Sequence, residues 1–154
     1  MSSETNKTQV GGSHYRTRTD MQHWDLMAAH GVGYLEGQAS RYVFRWRKKN
    51  GIEDLQKARH FLLKIIEVHL RQKVKESPRV PLENTVLFVQ ANKMHPVDGA
   101  IFSMILTWQS LQDVQRCVEQ VDKLLATAES ERALKEMSES DLRAQANSPQ
   151  PGAI

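Results

Sequence analysis

Tryptophan stands at positions 46 and 108, and the 62-residue interval between them recurs through the sequence. The same shift carries Ala29 to Ala91, Glu36 to Asp98, Gly37 to Gly99 and Val43 to Ile105. Past the tryptophan, a three-residue deletion assigned to the turn Lys49-Asn50-Gly51 shortens the shift to 59. That shift carries Asp54 to Asp113, Gln56 to Gln115, Lys57 to Arg116 and Ile65-Ile66 to Leu124-Leu125. Two units drawn from 154 residues are each too small to bury a core alone, so they must pack on one another.

The apolar spacing inside each unit is helical. Leu35, Ala39, Tyr42, Val43 and Trp46 fall on one helical face, and Asn50-Gly51 breaks the run. A shorter helix is expected from about Met21 to His30, ended by Gly31. A third carries Leu55, Ala58, Leu62, Ile65, Ile66 and His69, with Glu53 and Asp54 near its positive end. The segment "NTVLFVQAN" has strand composition, but it aligns with the first helix of the other unit and is read as helix. The expected fold is all-α, a bundle of about six helices in two layers built from two degenerate three-helix repeats. Residues 1–19 are expected as a flexible arm, 20–76 as the first unit and 77–81 as a linker with Pro78 and Pro81 as breakers. Residues 82–144 are the second unit and 145–154 a disordered tail.

Charge separates the halves. The net charge is +3, yet residues 1–80 hold 15 Lys/Arg against 8 Asp/Glu, while residues 81–154 hold 6 against 10. An anion-attracting surface is therefore expected in the first half. Cys117 is the lone cysteine, which excludes an intrachain disulfide and a cysteine-built zinc site, and a reducing cytoplasm is the expected location. The polar start "MSSETNKTQVGGS" lacks a signal-peptide core, and no apolar run approaches a bilayer span, so no membrane partner is expected.

The positive charge concentrates in "SRYVFRWRKKNG", which holds Arg41, Arg45, Arg47, Lys48 and Lys49. Between the units the core positions survive as Val43/Ile105, Phe44/Leu106 and Trp46/Trp108. Arg41 becomes Ser103, Arg45 becomes Thr107, and Arg47-Lys48-Lys49 gives way to Gln109 and the deletion. Scaffold and charge thus separate. On a continuous helix residues 41, 45, 48 and 49 share a side, where like charges repel weakly, and an anion bridging them would reverse that sign. The alternative is a solvated basic face whose long stems cover apolar surface.

These residues carry a likeness. "GGSHY" (11–15) followed by "GYLEGQASRYVFRWRKKNGIEDLQKARHFLLKII" (33–66) resembles the SaV-like family of small bacteriophage proteins, which includes a podovirus nucleotide kinase. Ser13, His14 and Tyr15 match its first element, and Gly37, Arg41, Tyr42 and Arg45 match its second, with Arg where Lys is usual at 41. Lys48, Lys49, Asp54, Leu55, Lys57 and Ala58 supply the rest. The likeness spans residues 11–70 and implies a phage protein acting on nucleotides in the cytoplasm of an infected bacterium.

A phosphotransferase needs phosphate clamps, a metal and a base. Arg41 and Arg45 suit bidentate phosphate contact, with Lys48 and Lys49 as point charges. Asp54 is the candidate catalytic base or metal contact, with Glu53 and Glu36 behind it, and its alternative role is helix-start stabilisation. Mg2+ with a nucleoside triphosphate would be the cofactor of that activity. "GVGYLEG" (31–37) is not a phosphate loop: glutamate stands where the third glycine belongs. The paired E-x-x-E ladders of all-α pyrophosphatases are absent at both helix positions. His23, His30, His69 and His95 lack metal-ligand spacing. Trp24, Trp46 and Trp108 are read as core, with Tyr34 or Tyr42 available to stack on a base. The expected ligand-binding set is Ser13, His14, Tyr15, Arg41, Tyr42, Arg45, Lys48, Lys49, Lys57 and His60.

Three readings follow: a nucleoside monophosphate kinase, a non-catalytic binder of a nucleotide or cyclic nucleotide signal that counters host defence, and a nucleic-acid binder working through the basic helix. A homo-oligomer is compatible with each. All three require the basic heads to converge on one concavity.

Overall fold

A computed structural model of the chain describes residues 4–7, 22–71, 79–148 and 152. Its elements are a helical turn α1 (Glu4–Lys7) and six longer helices: α2 (His23–His30), α3 (Tyr34–Arg45), α4 (Ile52–Arg71), α5 (Leu82–Ala91), α6 (Pro96–Thr107) and α7 (Leu111–Ala146). No strand occurs among the described residues. The fold is the all-α helical bundle expected from the sequence. Helix ends follow local chemistry. Gly31 closes α2 in the left-handed region at φ 61°, where a side chain would be strained. Ser110 and Asp113 cap α7 reciprocally, each side chain accepting from the other's backbone N–H.

Four helices close a ring: α3 packs on α4, α4 on α7, α7 on α6 and α6 back on α3, with α5 laid against α6. The shared core joins Val43, Phe44 and Trp46 to Leu55 and Leu62 of α4, Phe102 and Ile105 of α6, and Val121 of α7. Each such side chain contributes about 1.5–3 kcal/mol by leaving water. At Gly99 α6 comes close to α5, since a Cβ there would lie 2.5 Å from Val89 Cγ1.

The helix bounds of the two halves correspond under the intervals read from the sequence. A shift of 62 turns Tyr34–Arg45 into Pro96–Thr107, and a shift of 59 turns Ile52 into Leu111. Burial corresponds too: His23 and Leu26 map onto Thr85 and Phe88, and Leu55, Ala58, Leu62 and Ile65 onto Val114, Cys117, Val121 and Leu124, all buried. The deletion needs correcting. Asn50 N–H donates to Asp54 Oδ2 at 3.4 Å, and Gln109 N–H donates to Asp113 Oδ2 at 3.0 Å. Asn50-Gly51 therefore has its counterpart in Gln109-Ser110, and the unmatched residues are Arg47-Lys48-Lys49, which largely form a 3-10 turn, Trp46–Lys48.

That turn docks the first half onto the second. Trp46 Nε1–H donates to Asp98 Oδ2 at 3.0 Å, and Arg47 donates to the same buried carboxylate from Nε at 2.6 Å and Nη2 at 3.1 Å. The expected linker is not a free tether at its described end. Val80 is buried and its N–H donates to the Leu106 carbonyl at 3.0 Å, while Arg79 donates to the carbonyls of Trp108 and Gln109. The last helix runs past its expected end at Ala144, and every residue from Glu129 to Ala146 is exposed. No helix among the described residues is long and apolar enough to cross a membrane.

Candidate functional site

The basic side chains of residues 41–49 do not converge. Arg45 is buried and donates from Nε and Nη2 to the two carboxylate oxygens of Asp54, each at 3.0 Å. Its place on the inner face of α3, opposite the start of α4, puts it between the helices. Arg45 is thus a structural cation and not the expected phosphate clamp. Asp54 is fully buried, so it is a counter-ion, not an accessible base or metal ligand. A buried pair of this kind survives only when geometry and hydrogen bonds satisfy both charges.

The remaining candidates scatter. Tyr42 is stacked on Phe61 (ring centroids 5.8 Å, 17°) and covered by the Arg45 guanidinium at 4.7 Å, so it is packed, not presented to a base. Lys48 Nζ lies 5.5 Å from the Phe44 ring centroid. Lys49 lines an open groove of about 830 Å³ against α7, together with Glu131, Arg132 and Lys135. Lys57 is bonded to Glu53, which raises its pKa, and its ammonium lies 5.7 Å from the Tyr42 ring. His60 is exposed, edge-on to Phe61. Ser13, His14 and Tyr15 lie outside the described residues.

Arg41 has a different setting. It stands one turn before Arg45, on the side of α3 that faces α2, and borders a cleft of about 370 Å³ between the two helices. Gln22 and Gln38 line the same cleft as polar groups, Met27 and Val32 as apolar ones, and Gly33 and Gly37 lower its α3 wall. Two aromatic rings flank it: Trp24, half exposed at 50%, and Tyr34, exposed at 70% and set edge-on to Phe61 at 5.9 Å. Trp24 therefore departs from the core role expected for it, whereas Trp46 and Trp108, each 7% exposed, hold theirs.

His23 forms part of the cleft's inner edge. Its Nε2 lies 2.8 Å from Ser40 Oγ, and its ring is stacked on Phe44 at 6.2 Å. Burial, reinforced by the Arg41 charge, lowers its pKa to about 3 and keeps the imidazole neutral. The sequence reading weighed His23 only as a metal ligand and missed Gln22, Trp24 and Gln38. The usable signal was the spacing of His23 and Leu26, which sets the buried face of α2 and turns Trp24 away from it. Among the described residues, no group of three or more His, Cys, Asp or Glu is placed to hold a metal.

The sequence profile of a family described as a protein of unknown function (DUF3310) matches residues 8–63. That stretch contains the whole α2–α3 cleft, the basic turn and the Arg45–Asp54 pair, and stops within α4. No curated protein and no solved structure matches the chain.

Proposed function

We propose that the chain binds a nucleotide in the α2–α3 cleft, with Arg41 taking the phosphate and Trp24 and Tyr34 offering ring faces to the base. The observation that carries this reading is the grouping of one arginine, two exposed aromatic rings and two glutamine amides around a concavity of about 370 Å³. Arginine matches phosphate oxygens in planar, bidentate fashion. Aromatic stacking on a base contributes about 1–3 kcal/mol and tolerates base identity. The likeness of Gly37, Arg41 and Tyr42 to the SaV-like pattern supports the same ligand class, and a phage protein in the infected cell's cytoplasm belongs to the same proposal.

Binding is proposed ahead of phosphotransfer because Asp54, the residue assigned as base, is sealed against Arg45. Nucleic-acid binding loses its main support with the dispersal of the basic run. The test is calorimetric titration with nucleoside mono-, di- and triphosphates, cyclic nucleotides and single-stranded DNA, on the wild type and Arg41→Ala. Nucleotide binding that falls at least about tenfold in Arg41→Ala supports the reading. Equal binding by both proteins, or binding of DNA alone, defeats it.

A further inference from the structure

Ser40 sits in the middle of α3, fully buried, with Oγ 3.1 Å from the Gly37 carbonyl and 2.8 Å from His23 Nε2. A hydroxyl has one proton to give, and a carbonyl only accepts. Giving the Ser40 proton to Gly37 O, in preference to Met27 Sδ at 3.8 Å, makes the imidazole the donor between Ser40 and His23. This assignment carries the Nε2–H tautomer, with Nδ1 as a lone-pair acceptor. Phe44, stacked at 15°, and Phe102, edge-on at 6.1 Å, pack on the ring. The ring's one hydrogen bond is at Nε2, and no buried polar side-chain atom among the described residues lacks a partner. His23 lines the cleft, and with Nε2 committed to Ser40, Nδ1 is the ring nitrogen left to meet a ligand there.

We infer that His23 is the fixed hydrogen-bond acceptor of the α2–α3 cleft, selecting phosphate esters that carry a hydroxyl or N–H donor over anions that carry none. This deepens the nucleotide reading above and rests on it. Arg41 can only donate and suits the phosphate oxygens. An acceptor on the neighbouring wall demands a donor on the ligand, such as a sugar hydroxyl or base N–H. A site holding an acceptor discriminates because a ligand without the donor leaves that acceptor desolvated and unpaired. The imidazole stays neutral near Arg41, so the acceptor persists throughout the neutral pH range.

The experiment compares the wild type with His23→Gln, whose amide N–H can still donate to Ser40 but whose acceptor oxygen does not occupy the Nδ1 position. The probes are the four common ribonucleoside 5′-monophosphates, ribose 5-phosphate, and sulfate as a donor-free anion. The expected result is a wild type that prefers at least one ester to sulfate, with that ester weakened about tenfold in His23→Gln and sulfate changed less than about twofold. An ester bound equally by both proteins, or ester and sulfate weakened alike, overturns the role of His23 while leaving the cleft as a nucleotide site. A wild type that binds none of the probes overturns both. Nitrogen-15 NMR of the wild-type imidazole decides independently of how the variant folds. Nε2–H with an Nδ1 resonance that moves on saturation with the ester is expected, and the opposite tautomer or an unmoved Nδ1 resonance refutes the inference.

Discussion

Arg45 and Asp54 form a bidentate ion pair, Nε to Oδ2 and Nη2 to Oδ1 at 3.0 Å each, sealed between the end of α3 and the start of α4. The Asn50 N–H adds a further donor to Oδ2 at 3.4 Å. The two residues that a reading of charge assigned to ligand and catalysis instead fasten the turn joining two core helices. Removing either partner strands a buried charge. Arg45→Ala and Asp54→Ala should each cost about 3–5 kcal/mol in urea denaturation, and the double variant less than their sum. Near-additive or sub-kilocalorie losses would mean that the pair is solvated.

Trp24 should report occupancy of the cleft. Trp46 and Trp108 are buried, so collisional quenching by acrylamide should act mainly on Trp24, and a bound nucleotide should protect it. Trp24→Phe should abolish most of the quenching and its response to ligand. Protection that survives in Trp24→Phe would place the ligand elsewhere.

Acid should weaken the fold through His23. Its folded pKa of about 3 lies below the ordinary value of 6.5, so the unfolded chain takes up the proton first. The stabilisation is complete above pH 6.5 and drains away as pH falls toward 3. His23→Gln should flatten the urea midpoint between pH 6.5 and 4 relative to the wild type. A wild-type profile already flat across that window would mean that His23 is protonated in the folded state.

Cys117 should be inert until the bundle opens. Burial, with Asp113 as a smaller influence, raises its pKa to about 12 from an ordinary value of 9.0. Below pH 9 both states hold the proton; between 9 and 12 only the unfolded chain releases it, so alkali favours unfolding in that interval. A thiol reagent at pH 8 should label the native protein far more slowly than the urea-unfolded one. Equal rates would contradict the burial.

Gly99→Ala should disturb the α5–α6 contact. The new Cβ would meet Val89 Cγ1 at 2.5 Å, and valine has little rotamer freedom to yield. A loss of about 1–3 kcal/mol is expected, with Val89→Ala restoring part of it. A double variant no more stable than Gly99→Ala would show that the strain lies elsewhere.

The helices were legible because period and burial coincide: Val43, Leu62 and Ile105 lie where their spacing put them, and the 62- and 59-residue intervals carry over to helix bounds. Charge was less legible. Neighbouring basic residues look alike in a sequence, but one helical turn separates Arg41 on the cleft from Arg45 in the interior. The change from α-helix to 3-10 turn at Trp46 sends Arg47 to Asp98, a partner 51 residues away. No local pattern signals such long-range pairings. The cleft escaped notice for a related reason: it depends on how a short helix, α2, lies against α3.

The final helix has a mechanical corollary. Residues 129–146 prolong α7 past its last buried residue, Leu124, as one exposed rod of about 27 Å, at 1.5 Å per residue. Leu134, Met137 and Leu142 stand on it in water. A tag or surface tether attached at the C-terminal end would follow a stretch of helix that buries no residue of its own, which makes that end the natural place for one.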